Sequence, residues 1–250
     1  MTNIILVMLA FFGASVGSFV NVAALRRAKN ENFVLGRSGC ETCGHRLVWF
    51  ELVPLISWFV LLGKCRACKI KLSSRYVIVE IISAIIFVLS FMVYGFSLVT
   101  LLALPVSAIL LAISLIDFHS MEIPDGLVIA LIPLAIAAIW LMPDIGLLSR
   151  GIGFFAISLP MLALTIVIKG AFGGGDIKLM AVCGFLLGWQ GIILAFFIAV
   201  LLGGSWAAYL LASGQRKRGQ YMAFGPALCV GIFLSLLYGY EIIRLYGGLL

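Results

Sequence analysis

The sequence predicts an all-α polytopic membrane protein with about eight transmembrane helices and a small cytoplasmic zinc-binding segment between the first two. Of the 250 residues, 64% are hydrophobic and only 11% are charged, whereas a soluble domain carries roughly a quarter charged residues. The net charge of +7 does not indicate a nucleic-acid partner. Most Lys and Arg lie in loops between apolar runs, which is the pattern of the positive-inside rule.

Each predicted span is an apolar run of about 20 residues. Arg26 and Arg27 follow the first run instead of preceding it, which is the reverse of a cleavable signal peptide, so we expect a retained helix. The runs cover residues 4–25, 77–94, 98–116, 127–142, 152–168, 179–212 and 223–240. The run 179–212 is too long for one crossing, and we expect it to cross twice with a turn at residues 188–191.

The charge distribution gives the predicted topology. With a double crossing, the basic loops 26–75 and 169–178 and the cluster Arg216-Lys217-Arg218 lie on one side, which becomes the cytoplasm. Residues 1–25 then form the first transmembrane helix, 26–75 a cytoplasmic segment and 76–250 a seven-helix membrane domain, with both termini outside. We expect the basic cluster to anchor this topology and to bind anionic lipid.

The cytoplasmic segment carries two pairs of cysteines with metal-ligand spacing. Four thiolates from Cys40, Cys43, Cys65 and Cys68 form the usual ligand set of a tetrahedral structural zinc site. A segment of this size needs such a staple to fold independently. Two disulfides are the alternative, which the reducing cytoplasm disfavours. The remaining cysteines, Cys183 and Cys229, lie in apolar runs and are expected to pack there.

Two aspartates stand out against the apolar background. Asp117 closes the run 98–116, and Asp176 directly follows the glycines 173–175, which we expect to form a tight loop. Acidic groups at the ends of apolar spans are costly to desolvate and are functional candidates. Both emerge on the predicted cytoplasmic side, where two close carboxyl groups can share one proton. One then takes a proton from water while the other polarises a carbonyl, as in aspartic proteases.

Other roles for the two aspartates remain open from the residues alone. Asp176 alone is compatible with a helix cap, and Asp117 with an interfacial charge. A proton- or ion-coupled transporter would also use isolated carboxylates and broken spans, although only one glycine break is present. A membrane scaffold is a third class. Lys178 either marks the interface or tunes Asp176, and Glu80 must pair or face the bundle interior.

The ordered set of motifs resembles one family, the type IV prepilin peptidases of bacterial pilus and type II secretion systems. The matching stretches are Gly17-Ser18-Phe19-Val20-Asn21-Val22, Glu51-Leu52-Val53-Pro54-Leu55-Ile56-Ser57-Trp58, Gly63-Lys64-Cys65-Arg66-Ala67-Cys68, Ser73-Ser74-Arg75-Tyr76 with Glu80, Asp117 with Ile123-Pro124, and Gly173-Gly174-Gly175-Asp176 with Lys178. The last stretch is similar to the Gly-x-Gly-Asp signature of intramembrane aspartyl proteases. The chain departs from the family at Asp125, where Asn is usual, and at Val77, where Pro is usual.

The resemblance implies a bifunctional enzyme with Asp117 and Asp176 as its catalytic residues. It implies cleavage of the basic leader of a prepilin or pseudopilin after Gly at the cytoplasmic membrane surface. The new N-terminus would then be methylated by S-adenosylmethionine, whose binding residues the sequence does not identify beyond a possible role for Glu51. The implied location is the bacterial inner membrane, with pilus or type II secretion machinery as partner and zinc as structural metal.

Overall fold

The computed structural model describes residues 2–28, 39–40, 42–46, 48–168, 170–215 and 222–247. The predicted basic cluster at 216–218 and Lys169 lie outside these residues. The described chain is helical and contains no strand. Its helices are α1 (Thr2–Ala28), a 3-10 turn (Trp49–Leu52), α2 (Ile56–Val60), α3 (Arg75–Tyr94), α4 (Leu98–Ser120), α5 (Asp125–Leu141), α6 (Leu147–Ala156), α7 (Ser158–Val167), α8 (Gly174–Ala212) and α9 (Gly225–Gly247).

The chain packs as two compact units, Met1–Gly95 and Phe96–Leu250. In the first unit, α1 lies against α3 through glycines. A Cβ at Gly17 would lie 2.6 Å from Ser83 Cβ, and one at Gly13 would lie 2.9 Å from Phe87 Cβ. Such close approach of backbones is how helices associate in lipid, where apolar side chains gain little from leaving the solvent. The Gly17 motif of the sequence is therefore a packing surface for α3.

In the second unit, glycines again mark the helix crossings. A Cβ at Gly153 of α6 would collide with the carbonyl of Gly184 of α8. A Cβ at Gly231 of α9 would collide with the carbonyl of Ala195 of α8. The first half of α8 therefore packs on α6 and its second half on α9.

The two halves of α8 form a hairpin. Gly188 interrupts the helix with φ 73° and ψ 173°, a left-handed conformation that favours glycine. The rings of Phe172 and Phe196 lie 6.5 Å apart, centroid to centroid, although a straight helix would place them about 36 Å apart along its axis. The chain therefore reverses at Gly188, as the predicted double crossing requires.

Arg150 holds the end of this hairpin together from inside the bundle. Its side chain is fully buried, at 0% exposure, and its guanidinium donates hydrogen bonds to five backbone carbonyls. The acceptors are Ala138 and Met142 at the end of α5, Ile145, and Phe185 and Leu186 at the end of the first limb of α8. The carbonyls at a helix C-terminus lack partners within the helix and carry partial negative charge, so one cation serves two helix ends.

The prediction of an all-α polytopic membrane protein is confirmed. Within the part of the chain that the structure describes, six helical stretches are long and apolar enough to cross a membrane, namely residues 3–27, 75–94, 98–120, 147–167, 174–212 and 225–245. The hairpin in α8 divides one of them, and α5 is a shorter apolar helix, so the eight predicted spans coincide with helical segments. The predicted glycine loop is wrong in one respect, because Gly174 and Gly175 already belong to the first turn of α8.

Candidate functional site

Asp117 lies in the last turn of α4 and points at the start of α9. The residue is 5% exposed, and its Oδ2 accepts a hydrogen bond of 2.9 Å from the backbone N–H of Gly225. The free N–H groups at a helix N-terminus attract anions. A Cβ at Gly225 would lie 2.7 Å from the same oxygen. Gly225 is therefore a residue of the site that the sequence analysis missed, although Gly225-Pro226 is a recognisable helix-start signal.

Asp176 lies in the first turn of α8 and is half-buried. Its Oδ2 accepts a hydrogen bond of 3.1 Å from the backbone N–H of Gly173, so the carboxylate caps its own helix, as the cap alternative expected. A cap uses one oxygen and leaves the other for further chemistry. The two roles are therefore compatible.

The structure brings the two aspartate motifs together. A Cβ at Gly175 would lie 2.7 Å from Ile123 Cβ, so the start of α8 packs directly on the segment that follows α4. Beside this contact, Lys178 Nζ lies 2.7 Å from Asp125 Oδ1. The carboxyl groups of Asp117 and Asp176 are near enough to interact electrostatically. They form one site at the ends of α4, α8 and α9.

Three aromatic rings border this site. Phe224 precedes Gly225 in the chain, and Phe172 precedes the glycines of α8. The ring of Phe224 lies 6.0 Å from that of Phe172 and 6.5 Å from that of Phe196. Such clusters exclude water from one side of a polar group. The cluster therefore forms an apolar surface next to the chain segments that lead into Asp176 and Gly225.

The other polar residues near the motifs have simpler roles. Glu122 and Asp144 are exposed, the first shortly before α5 and the second in the loop between α5 and α6. His119 is exposed beside the ring of Phe118, at 5.6 Å between centroids. Lys178 pairs with Asp125, so its charge is directed to that carboxylate. The other departure from the resembled family, Val77, lies in the first turn of α3, where proline is also tolerated.

The four predicted zinc cysteines form a compact cluster in the first unit. Their sulfur atoms all lie within 4.8 Å of one another, and each pair sits in a small hairpin closed by the bridges Gly39–Arg46 and Lys64–Lys71. The Cys40 and Cys68 sulfurs are 3.8 Å apart, and those of Cys43 and Cys65 are 3.9 Å apart. A tetrahedral zinc ion with Zn–S bonds of about 2.3 Å separates its sulfurs by about 3.8 Å. The cluster fits zinc.

The four thiols interact with one another and with nearby backbone N–H groups. All six cysteines are free thiols, so the disulfide alternative is not adopted. The backbone N–H groups of Cys43 and Thr42 lower the pKa of Cys40 to about 6, which favours the thiolate that zinc requires. Against the lowering effect of the His45 backbone N–H, burial and the neighbouring sulfurs raise the pKa of Cys43 to about 11, so without a metal the four thiols do not all ionise. His45 instead lies 3.2 Å from Glu51 Oε2. Four sulfurs without His45 are therefore sufficient as a ligand set.

Glu51 and Glu80 are two buried carboxylates in the same unit. Glu51 Oε2 also accepts a 2.9 Å hydrogen bond from the N–H of Val48. This N–H and the nearby His45 lower the pKa of Glu51 against the opposing effect of burial. Glu80 Oε2 accepts a 2.8 Å hydrogen bond from the N–H of Leu55. Glu80 therefore pairs within the protein, as its position in an apolar span requires.

Together, the helical spans and the paired aspartates define a polytopic membrane protein with an acidic site at the end of its helices. The chain matches the family model of the Bacterial Peptidase A24 N-terminal domain over residues 11–94 and that of the Type IV leader peptidase family over residues 104–208. The chain belongs to the type IV leader peptidase family.

Relatives along almost the whole chain carry the same name. The prepilin leader peptidase/N-methyltransferase of Bacillus subtilis (strain 168) is 33% identical, covering 96% of each chain. Proteins of that name from Pseudomonas putida and Pseudomonas aeruginosa are 31% and 30% identical, covering 92% and 94% of this chain and 89% and 90% of theirs. No solved structure matches. These matches do not support the transporter alternative.

Proposed function

We propose that Asp117 and Asp176 are the catalytic pair of a prepilin leader peptidase that is also an N-methyltransferase. The observation that supports the assignment is the contact between the two motifs, in which Gly175, next to Asp176, packs on Ile123, which follows Asp117 at the end of α4. The leader peptidase and N-methyltransferase activities follow from the family and the relatives. The residues that perform them are our proposal.

Peptide-bond hydrolysis by this pair needs neither a metal nor a covalent intermediate. One ionised carboxylate takes a proton from water, whose oxygen attacks the scissile carbonyl, while the other carboxyl group donates its proton to the carbonyl oxygen. When the C–N bond breaks, a proton returns to the departing nitrogen. The hydrogen bonds from Gly225 and Gly173 fix the two carboxyl groups in position before the substrate arrives.

The second reaction transfers a methyl group to the amine that cleavage releases. We propose S-adenosylmethionine as the donor. The deprotonated amine forms a bond to the methyl carbon while the S–CH3 bond breaks, and the bonding electron pair remains on sulfur. The product S-adenosylhomocysteine leaves, and the methylated amine loses a proton to water. In the proposed enzyme, zinc on the four cysteines supports the fold of the segment around them.

The proposed setting is the bacterial inner membrane, with the active site facing the cytoplasm. Lys and Arg are concentrated in the loops 26–75 and 169–178, which supports this orientation by the positive-inside rule. The hydrophobic helix of a prepilin or pseudopilin would remain in the bilayer while its basic leader lies in the cytoplasm, so the scissile bond would lie at the membrane surface. The proposed partners are the pilus or type II secretion machinery and membrane lipid. The proposal includes the division of the chain into a first transmembrane helix (1–25), a cytoplasmic segment (26–75) and a seven-helix membrane domain (76–250).

Cleavage of a prepilin-like substrate by the full chain in membranes tests the catalytic assignment. Asp117→Asn and Asp176→Asn each keep the size of the side chain and remove the titratable proton. We expect each change alone to abolish cleavage while insertion is unchanged. Asp144→Asn is the matched control, because Asp144 is an exposed loop residue. Normal cleavage by both site variants would remove the pair from the mechanism.

A further inference from the structure

The first unit contains a cavity of about 540 Å³ that the peptidase chemistry does not use. It is bordered by the C-terminal half of α1, the cysteine segment, α2 and the start of α3. Its size is that of a pocket for a ligand of a few dozen atoms, since such pockets measure about 300–1,000 Å³. The lining residues that carry the argument are Glu51, Trp58, Glu80, Arg26, Arg66 and Lys71.

Two buried polar atoms at this cavity lack partners. Glu51 Oε1 and Trp58 Nε1 are buried and find no hydrogen-bond partner among the described residues. The side chain of Glu51 is only 1% exposed, and its other oxygen is already occupied by Val48 and His45. Buried polar groups are almost always paired in folded proteins. A ligand in this cavity that donates to Glu51 and accepts from the indole N–H of Trp58 would supply both missing partners, once these side chains turn toward it.

A strained backbone holds Trp58 in place at this cavity. Leu55, the residue before α2, has φ 63° and ψ −56°, a conformation that L-residues rarely adopt. Glu80 from α3 fixes it through the hydrogen bond to the Leu55 N–H. Backbone strain of this kind persists only where surrounding contacts over-determine it, and it concentrates at ligand sites. Glu80 thus positions the helix that carries Trp58.

The charged residues that line the cavity favour a ligand that carries both positive and negative charge. Two carboxylates, Glu51 and Glu80, face the cavity together with the cations Arg26, Arg66 and Lys71. The guanidinium of Arg66 lies 5.1 Å from the centre of the Phe50 ring. A polyphosphate nucleotide would bring its negative charge against the two carboxylates. A zwitterion with an additional positive centre and a heteroaromatic ring matches the carboxylates, the cations and the indole together.

We propose that this cavity binds S-adenosylmethionine, an inference that rests on the proposed N-methyltransferase activity. The sulfonium and ammonium groups match the carboxylates, and the ligand's carboxylate matches the cations. Glu51 Oε1 accepts from an N–H or O–H group of the ligand, and the N–H of Trp58 donates to one of its acceptors. Glu80 is a positioning residue that acts through Leu55 and Trp58.

Equilibrium binding of S-adenosylhomocysteine to the full chain in detergent, measured by calorimetry, tests the site without turnover. Glu51→Gln removes the charge, and Trp58→Phe keeps the aromatic ring and removes the N–H. We expect each change to weaken binding about tenfold or more, as for a lost buried hydrogen bond to a charged or polar ligand group. Prepilin cleavage, zinc content and melting temperature should remain close to those of the wild type. Glu241→Gln and Trp140→Phe are matched exposed controls.

The outcomes separate the site from the function. If the wild type binds and methylates but neither variant weakens binding, the cavity assignment is overturned while the methyltransferase activity stands. If the wild type cleaves but neither binds nor methylates, the N-methyltransferase part of the proposed function falls with the cavity. Weakened binding accompanied by loss of zinc also counts against the assignment, because the substitution would then act on the fold.

Discussion

Lys178 Nζ lies 2.7 Å from Asp125 Oδ1, and this ion pair joins the start of α8 to the first turn of α5. The two residues flank the contact between Gly175 and Ile123, so the pair closes the outer edge of the proposed active site. Both side chains are more than half exposed, at 57% and 64%. Asp125 is also the position at which the resembled family usually has Asn, whose carbonyl oxygen can accept from the same lysine.

Asp125→Asn should therefore change little. An exposed ion pair contributes about 0–1 kcal/mol, and the Lys178 hydrogen bond survives the substitution. We expect the free energy of unfolding to fall by about 1 kcal/mol at most and the cleavage rate to stay within a few-fold of wild type. A cleavage assay in membranes at two ionic strengths measures this. A loss of activity comparable with that of Asp176→Asn would mean that the charge of Asp125 takes part in the chemistry.

Gly225→Ala should damage the peptidase selectively. The added Cβ would lie 2.7 Å from Asp117 Oδ2 and 2.9 Å from Asp117 Cγ, so the carboxyl group must move away from the N–H that holds it. A displacement of this order in a catalytic group costs about a hundredfold in rate. Methylation of a substrate supplied already cleaved should continue.

Gly204→Ala is the matched control for that experiment. Gly204 also lies in a helix, but a Cβ there would meet nothing within 4 Å. Replacing an exposed helical glycine by alanine favours the helix by about 1 kcal/mol, so activity should persist. Equal losses in both variants would show that helix glycines in general, and not the position of Asp117, control cleavage.

Arg150→Met should destabilise the membrane domain. Met retains the length and apolar character of the stem, but it removes the donor to five carbonyls, four of them at the ends of α5 and of the first limb of α8 and one, Ile145, in the loop after α5. Two of the five, Ala138 and Met142, keep a backbone N–H donor. We expect a loss of about 2–5 kcal/mol, since each buried carbonyl left without a donor costs about 1–3 kcal/mol. The free energy of unfolding in detergent micelles measures the loss. Arg244→Met is the control, because Arg244 is exposed near the end of α9.

Cys65→Ser should remove the metal. Three sulfurs leave the tetrahedral shell incomplete, and binding of structural zinc is part of the folding free energy of such small segments. We expect wild type purified in zinc-containing buffer to hold about one zinc per chain and the variant to hold almost none. Elemental analysis of the purified chain decides the matter. Cys183→Ala should keep its zinc, since Cys183 lies in α8 outside the cluster.

Much of this structure follows from local sequence. The apolar runs predict the helices because a segment in lipid must form all its backbone hydrogen bonds within itself. The need to keep the basic loops on one side of the membrane predicts that 179–212 crosses twice, and the reversal at Gly188 makes this possible. Two C-x-x-C pairs predict a four-sulfur cluster because this spacing is typical of cysteines that bind one zinc ion. The two aspartates are predictable as a pair because Asp117 closes one apolar span and Asp176 precedes another, both on the same predicted side.

The other features of the fold and the site depend on contacts between distant parts of the chain. The hydrogen bond from Gly225 to Asp117 joins residues 108 positions apart, and no local pattern marks Gly225 as the donor. Arg150 looks like a loop cation in the sequence, yet its guanidinium lies fully buried between helix ends. Glu51 and Trp58 lie inside the resembled motif, but their unpaired atoms are visible only once the cavity is formed.

The reversal at Gly188 leaves a first limb, residues 174–187, that is about 21 Å long at 1.5 Å per residue. The hydrocarbon core of a bilayer is about 30 Å thick. Such a mismatch is relieved by local thinning of the lipid around the short limb. The water boundary is thereby drawn towards Asp176. The thickness of the host membrane then becomes a determinant of turnover, and lipids with shorter acyl chains should favour hydration of the bond to be cut.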